Sequence, residues 1–358
     1  MPLVAHNALP TFDRLRREGQ RLLEPERAMH QDVRPLHVGL LNMMPDAALE
    51  ATERQFFRLL GSSNAISQFY VHPFSLDTLP RAAHAREHIE RHYESFDAIR
   101  SEGLDALIIT GANVIEPNLA DEIFWEPLAE VVSWADEHVT STLCSCLATH
   151  AVMLARHGLR RQPLSRKRWG VFDHQVVAPA HPLVAGVNSH LQVPHSRFNA
   201  ISRDQMESVG LHVLIESERA GVQVAVSPDG FRTVFLQGHP EYDVISLMKE
   251  YKREVGRFLN GHVSNYPPVP FGYFDSWSCT LLDEYRAHIE YSVTTNTRPP
   301  VFPEHLLIPR LQNTWHDSGE ALVGNWLGLV YQLTHADQAL PYMDGISRDD
   351  PLGWLTGA

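Results

Sequence analysis

The chain has 358 residues, which is long enough to bury a large hydrophobic core. Its 44% hydrophobic and 20% charged residues are typical of an ordinary globular protein. A formal net charge of −13 argues against a surface that binds nucleic acid or anionic membranes. No apolar run approaches the roughly 18–20 residues that a transmembrane helix needs, and the first residues lack the basic and apolar blocks of a secretory signal. Three cysteines are too few for a disulfide framework, so we expect a cytoplasmic protein with reduced thiols.

The first half of the chain predicts alternating strands and helices. Residues 1–35 are polar and predict an N-terminal arm, with a short helix inside 11–23 that lies on the domain or on a partner subunit. Buried strands are predicted at 36–42, 66–74, 104–112 and 139–142, and helices at 47–60, 80–94 and 126–138. This alternation favours a parallel sheet with helices on both faces, in which ligands bind at the carboxyl ends of the strands.

After Gly158 the pattern changes to short apolar runs separated by turns. These runs predict antiparallel strands that close the sheet, at 170–178, 191–194, 212–217, 221–226 and 233–237. A helix capped by Asp243 should follow and end at Leu259. We therefore predict an α/β fold with a central, mostly parallel sheet. The α/β domain spans 36–260, and a C-terminal extension at 261–358 packs on it, with a helix at 318–333 and little pattern at 275–300.

Cys146 stands where the fourth predicted strand passes into a helix with almost no loop. A sharp turn at this place pushes the side chain out of the sheet, next to the free N–H groups of the helix. The positive end of the helix dipole favours a thiolate there, which would act as a nucleophile. The alternative is that Cys146 is a buried core cysteine, as most cysteines are.

His239 and Glu241 complete a candidate catalytic set. A thiol nucleophile needs a base that takes its proton, and the base needs a group that fixes its tautomer. His239 ends a predicted strand, and Glu241 is two residues further on, so both side chains can point the same way in an extended turn. The alternative is a polar turn without a catalytic partner.

A cysteine at a strand–helix turn and a distal His-Pro-Glu resemble the class I glutamine amidotransferase-like fold. Those amidotransferases carry glycines beside the cysteine, whereas this chain has Ser145 and Leu147. The chain is more similar to the homoserine O-acyltransferase family of methionine biosynthesis, over most of its length. The resemblance rests on seven ordered pieces, RPLHVGLLNMMP (34–45), ITGA (109–112), VTSTL (139–143), KRWGVFDH (167–174), PHSR (194–197), GHPEYD (238–243) and TW…NW (314–326).

The resemblance implies a role for each matching residue. Cys146 would be the acyl-accepting nucleophile, His239 its base and Glu241 the carboxylate that orients His239. The remaining roles are an active-site lysine at Lys167, a homoserine-carboxylate ligand at Arg253, a substrate-side motif at Ser196 and Arg197, and an oxyanion hole made by the backbone at Leu147 and the Gly111 turn. Without the resemblance, Lys167 and Arg253 would be taken for surface residues.

The position that sorts acyl donors in the family is occupied by Ile115. Glutamate there accompanies acetyl-CoA use and glycine accompanies succinyl-CoA use. Ile115 does not repel the succinyl carboxylate, which favours succinyl-CoA, but its branched side chain could crowd the longer acyl group and Glu116 is adjacent. Asn113 replaces the usual proline in this loop, and residues 275–300 look like an insertion relative to the family.

The resemblance implies a ping-pong acyl transfer, the first committed step of methionine biosynthesis. An acyl-CoA would acylate the cysteine, and the γ-hydroxyl of L-homoserine would then take the acyl group. No metal or other cofactor is expected, acyl-CoA being a co-substrate, and a homodimer is implied. Three alternatives remain at this point, namely acetyl-CoA as the donor, an amidotransferase-type hydrolase, and a non-enzymatic small-molecule-binding or thiol-sensing protein.

Overall fold

The computed structural model describes residues 3–63 and 67–355. In these ranges the chain forms one sheet of nine strands, in the order β2-β1-β3-β4-β9-β8-β7-β5-β6. The strands are β1 Pro35–Leu41, β2 Gln68–Phe74, β3 Ala106–Ile109, β4 Ser141–Ser145, β5 Gln162–Val176, β6 His190–Ala200, β7 His212–Ser217, β8 Gly221–Val226 and β9 Thr233–Leu236. The five strands from β2 to β9 in this order pair in parallel, and β8, β7, β5 and β6 continue the sheet antiparallel. The predicted α/β fold is confirmed.

Helices cover the parallel part of the sheet on both faces. Within the described ranges the α-helices are α1 Pro10–Arg17, α2 Pro25–Met29, α3 Leu49–Ser63, α4 Ala83–His92, α5 Phe96–Glu102, α6 Trp125–His138, α7 Leu147–His157, α8 Arg203–Glu207, α9 Ser246–Leu259, α10 Ser276–Thr295, α11 Glu304–Leu307 and α12 His316–Leu333. None of these helices combines the length and the apolar composition that crossing a bilayer requires.

Alternate residues of the parallel strands belong to two separate hydrophobic cores. In β3, Ala106 and Ile108 belong to the core shared with α3 and α12. Leu107 and Ile109 belong to the core shared with α6 and α7. Successive side chains of a strand point to opposite faces, so a strand with both faces covered must be apolar throughout. This explains why the buried strands are continuous apolar runs in the sequence.

Several predicted boundaries differ from the observed ones. The strand before Cys146 begins at Ser141 rather than at residue 139, and α3 begins at Leu49 rather than at residue 47. Residue 66, the predicted start of the second strand, lies outside the described residues. The predicted cap at Asp243 is wrong, because α9 begins three residues later and the Asp243 carboxylate pairs with Arg54 and Arg58 instead.

The unpatterned stretch at 275–300 is largely the helix α10. Its buried residues recur at helical spacing and include Leu282, Tyr285 and Ile289, which enter a third core together with Tyr251 of α9. The buried face of α10 also carries a serine at each end, and these serines weaken the hydrophobic pattern of the sequence. The N-cap of α10 is Asp275, whose carboxylate accepts a hydrogen bond from the Ser278 N–H at 2.8 Å.

The side chain of Asp105 links a segment near the N-terminus and a segment near the C-terminus to the sheet through hydrogen bonds. Its carboxylate accepts hydrogen bonds from Nη2 of Arg34 at 3.0 Å, from the backbone N–H of His37 at 2.8 Å and from Oγ1 of Thr334 at 2.6 Å. Burial raises the pKa of Asp105, and these donors act against that rise. A buried carboxylate of this kind is stable only while its donors are in place.

Candidate active site

Cys146 lies at the turn between β4 and α7, as the sequence predicts. Its backbone has φ 53° and ψ −108°, a region that residues other than glycine rarely adopt. The Cys146 N–H donates to the carbonyl of Leu236 at 2.7 Å, and the Thr149 hydroxyl donates to the carbonyls of Cys144 and Leu236, each at 2.9 Å. The neighbouring strand β9 therefore holds the strained turn, and α7 begins directly after it.

The His239 imidazole lies between the sulfur of Cys146 and the carboxylate of Glu241. Its Nδ1 is 2.8 Å from Oε1 of Glu241, and its backbone N–H donates to the carbonyl of Pro194 at 2.8 Å. Burial alone lowers the pKa of His239, but the charge and the hydrogen bonds of Cys146 and Glu241 raise it well above the ordinary value of 6.5. The surroundings of His239 therefore favour the charged imidazolium.

The backbone of Gly111 lies beside the start of α7. A methyl group placed on its α-carbon would be 3.8 Å from the backbone nitrogen of Leu147 and 3.9 Å from Cβ of Cys146. The first N–H groups of a helix have no partner inside the helix, so that of Leu147 is available to a substrate oxygen. The turn after β3 and the N-terminus of α7 thus meet at the cysteine, as the oxyanion-hole prediction requires.

The carboxylate of Glu250, in α9, accepts hydrogen bonds from four side chains. Its Oε2 accepts from Ser196 Oγ at 2.6 Å, from Trp169 Nε1 at 3.0 Å and from Lys167 Nζ at 3.3 Å. Its Oε1 accepts from the hydroxyl of Tyr242 at 2.9 Å. Burial raises the pKa of Glu250, yet Lys167 and these hydrogen bonds bring it below the ordinary value. Lys167 and Ser196 therefore meet at one carboxylate.

Arg253 follows Glu250 by one turn of α9, and its side chain is 61% exposed. Its Nε lies 3.5 Å from Oε1 of Glu254. Burial is the main cause that lowers the pKa of Lys167, and the charge of Arg253 lowers it further, so the two cations are close. The accessible guanidinium of Arg253 therefore lies near Lys167 and near the carboxylate of Glu254.

Ile115 lies in the loop after Gly111, and its side chain is 80% exposed. The loop is fixed through its backbone, because Oε1 of the buried Glu122 accepts the N–H groups of Ile115 and Glu116 at 2.6 and 2.7 Å. Burial lowers the pKa of the half-buried Arg161, while the charges of Glu122 and Cys146 raise it. Arg161 thus lies within electrostatic reach of both the loop and the cysteine.

Comparison with known proteins gives the family. The family model described as homoserine O-succinyltransferase matches residues 2–336. The chain belongs to this family. Proteins named homoserine O-succinyltransferase from Allochromatium vinosum and Thioalkalivibrio nitratireducens are 62% and 60% identical to it. The first match covers 100% of both chains over 357 residues, and the second covers 99% of both over 354 residues.

Because the Allochromatium vinosum homoserine O-succinyltransferase matches from end to end, residues 275–300 are not an insertion relative to it. Among solved structures, a glutamine amidotransferase from Methylobacillus flagellatus matches with 12% identity and a TM-score of 0.44, covering 83% of this chain and 95% of its own.

Sequence reasoning missed Glu250, Tyr242 and Arg161 in this member of the family. A signal for Glu250 was present, since it precedes Arg253 by three residues on a predicted helix and must share its face. Tyr242 directly follows His-Pro-Glu, and its ring stacks on that of His239 with centroids 4.2 Å apart and 18° between the planes. Arg161 had no signal, because nothing in the sequence places it near the cysteine.

Protein donors hold both carboxylates at the site, although in the described ranges Oε2 of Glu241 is buried without a hydrogen-bond partner. Glu241 accepts from His239, and Glu250 accepts from four side chains. In the part of the chain that the structure describes, the side-chain groups with metal-ligand geometry include none of Cys146, His239 and Glu241. A sulfur, an imidazole and a carboxylate in this order can support nucleophilic attack by sulfur with proton transfer through the imidazole.

Proposed function

We propose that this chain transfers a succinyl group from succinyl-CoA to the γ-hydroxyl of L-homoserine, the first committed step of methionine biosynthesis. The transfer proceeds by a ping-pong mechanism through a thioester on Cys146. The observation that carries the proposal is the His239 imidazole held between the Cys146 sulfur and the Glu241 carboxylate. The names of the full-length relatives support the choice of substrates.

In the first half-reaction the Cys146 thiolate attacks the thioester carbonyl of the donor. The carbonyl oxygen becomes an oxyanion, which the N–H groups at Leu147 and Gly111 stabilise. The bond from carbon to the CoA sulfur then breaks, and CoA leaves with the proton that His239 held. The exchange of one thioester for another is nearly balanced in energy, so a sulfur nucleophile suits this step. Acyl-CoA enters as a co-substrate, and no resident cofactor is needed.

In the second half-reaction homoserine must present its hydroxyl to His239. Arg253 and Lys167 offer two adjacent cations for the homoserine carboxylate, and a guanidinium can hold it with two hydrogen bonds. Glu250 offers an anion for the ammonium, and Ser196 fixes that carboxylate. His239 takes the γ-hydroxyl proton as the oxygen attacks the acyl carbon, and the carbon–sulfur bond to Cys146 breaks.

Arg161 would bind the free carboxylate of the succinyl group. It is half-buried, it lies in the electrostatic field of Cys146, and in the described ranges it makes no hydrogen bond or ion pair of its own. Ile115, at the position that sorts acyl donors in the family, has an uncharged side chain. An unpaired cation near an uncharged side chain at this position favours an acyl group with a free carboxylate, and therefore succinyl-CoA over acetyl-CoA. A cytoplasmic homodimer remains the expected state of the enzyme.

Mass spectrometry of the acylated protein tests this proposal. Incubation with succinyl-CoA alone should add one succinyl group at Cys146, and L-homoserine should then remove it as O-succinylhomoserine. Cys279→Ala is the matched control and should be labelled as the wild type is. Turnover in Cys146→Ala without a labelled intermediate would contradict the mechanism. Faster acylation by acetyl-CoA would overturn the choice of donor, and glutamine hydrolysis would favour an amidotransferase-type hydrolase.

A further inference from the structure

A second group of ligand-type side chains lies at the edge strand of the sheet. His6 comes from the N-terminal arm, His72 from β2 and Glu94 from the segment after α4, and their ligand atoms lie within 4.8 Å of one another. β2 is three strand positions from β4, which is roughly 15 Å at ordinary strand spacing. We propose that these three residues bind a divalent transition-metal ion of the zinc type, separate from the acyl-transfer site.

The three side chains already converge on one point. Nδ1 of His72 is 2.6 Å from Oε1 of Glu94, and the rings of His6 and His72 have centroids 5.3 Å apart at 47°. Zinc bonds to imidazole nitrogen and carboxylate oxygen are about 2.0–2.2 Å long. Ligand atoms at these separations can reach one ion through small side-chain rotations, without movement of β2.

Neighbouring groups orient both imidazoles as metal ligands are usually oriented. Nε2 of His72 lies 2.9 Å from Nδ1 of His37, which leaves Nδ1 of His72 to face Glu94. Nδ1 of His6 lies 3.2 Å from the carbonyl of Val4, and an N–H there leaves a lone pair on Nε2. That Nε2 is 3.3 Å from the amide nitrogen of Asn7, a long contact that an ion can replace.

The outer residues of this group are themselves fixed. The His37 ring stacks on Tyr70 with centroids 5.2 Å apart and on His72 with centroids 5.1 Å apart. The backbone N–H of His37 donates to the buried Asp105. This hydrogen bond anchors the residue whose ring lies behind that of His72. Preorganised outer contacts of this kind distinguish a built site from exposed side chains that meet by chance.

Two imidazoles and one carboxylate are a common ligand set for zinc, with a water molecule in the fourth position. The ligands come from three separate segments, so a bound ion would tie the N-terminal arm to the sheet. Any ion that binds only the folded protein raises its stability. The proposed effect of the ion is to stabilise the folded chain, and it does not depend on the acyl-transfer proposal.

Metal titration of the full-length protein tests the site. The chelator-treated protein is titrated with Zn²⁺ against a chromophoric chelator, and with Co²⁺ to record its absorption spectrum. We expect one tight equivalent of Zn²⁺, a tetrahedral Co²⁺ spectrum without a sulfur-to-metal charge-transfer band, and a higher melting temperature with Zn²⁺. His6→Ala and Glu94→Gln should each weaken Zn²⁺ binding by about tenfold or more.

The controls separate this site from other ligands. His84→Ala changes a histidine whose side chain is 84% exposed and should bind Zn²⁺ as the wild type does. His316→Ala tests the other described group with metal-ligand geometry, His316, Asp317 and Glu320, and should also leave binding unchanged. Loss of the tight equivalent in His316→Ala or Cys146→Ala, or wild-type affinity in both His6→Ala and Glu94→Gln, would overturn the proposal.

Discussion

The hydroxyl of Tyr242 donates a hydrogen bond to Oε1 of Glu250 at 2.9 Å. The Tyr242 ring also stacks on the imidazole of His239. One aromatic side chain therefore connects the carboxylate that holds Lys167 and Ser196 with the imidazole beside Cys146. Burial and the charge of Glu250 raise the pKa of Tyr242 well above 10, so it stays a hydrogen-bond donor at any physiological pH.

Tyr242→Phe should lower kcat about tenfold and leave the fold intact. It keeps the ring on His239 but removes a hydrogen bond to a buried charge, and such a bond contributes about 1.5–3 kcal/mol. Steady-state kinetics with both substrates varied, together with a melting curve, measure the effect. Tyr291→Phe, at a tyrosine that is 65% exposed, is the matched control. Unchanged kinetics would show that Tyr242 does not position Glu250 and His239 for catalysis.

Alkylation by iodoacetamide should be selective for Cys146 and should depend on His239. Burial raises the pKa of Cys144 to about 12 and also raises that of Cys279, so both remain poorly reactive thiols. Because the pKa of His239 lies well above 6.5, its imidazolium persists beside the sulfur at pH 7. We expect His239→Asn to slow alkylation at pH 6.5 more than at pH 9, as followed by peptide mass spectrometry. Equal slowing at both pH values would argue against an ion pair.

Gly111→Ala should lower kcat by about 10- to 100-fold without a loss of stability. The added methyl group meets Sδ of Met44 at 3.6 Å and the Leu147 nitrogen at 3.8 Å, which are ordinary contacts. It would nevertheless occupy the space from which a substrate oxygen reaches the Leu147 N–H. Gly328→Ala, inside α12 with open space around it, is the control and should not affect the rate. Full activity of Gly111→Ala would place the oxyanion elsewhere.

Arg161→Gln should reduce the preference for succinyl-CoA over acetyl-CoA about tenfold. The change removes a cation that we expect to pair with the succinyl carboxylate, and acetyl-CoA has no such group. The ratio of kcat/KM for the two donors measures it, with homoserine held fixed. Arg160→Gln, at the preceding exposed arginine, is the control. An equal loss with both donors would assign Arg161 to the cysteine rather than to the acyl chain.

The pair of His88 with Glu53 should contribute stability that is lost as the pH rises above about 6.5. Nε2 of His88 is 2.9 Å from Oε2 of the buried Glu53, which also accepts the Thr11 hydroxyl. Burial lowers the pKa of His88, but Glu53 raises it above 6.5 overall. A raised folded-state pKa contributes stability that is complete below the unfolded value of 6.5 and is lost as the pH passes through the folded one.

Urea unfolding at pH 6 and pH 9 measures this contribution. Other histidines have pKa values shifted in both directions, upward for His239 and downward for His195, so the readout is the difference between the wild type and His88→Gln. Relative to the wild type, His88→Gln should lose less stability between pH 6 and pH 9. His84→Gln, at an exposed histidine, should behave as the wild type does. The same change in stability between the two pH values in His88→Gln and the wild type would exclude a contribution from the pair with Glu53.

The sequence could predict what depends on local pattern. The bounds of β7 and β8 follow from short-range signals and are confirmed. Contacts between distant segments could not be predicted, because periodicity does not report them. Lys167 and Glu250 are 83 positions apart, and no spacing rule joins them. The division of the chain at residues 35 and 260 stays a prediction.

Asp105 has a consequence for shortened versions of this protein. Its buried carboxylate takes one donor from Arg34, before the first strand, and another from Thr334, after the last helix. Truncation from either side past these residues would leave a buried anion short of partners, at a cost of about 3–5 kcal/mol. The catalytic α/β portion, expressed without its flanking segments, would therefore lose a large fraction of the free energy that keeps a domain folded.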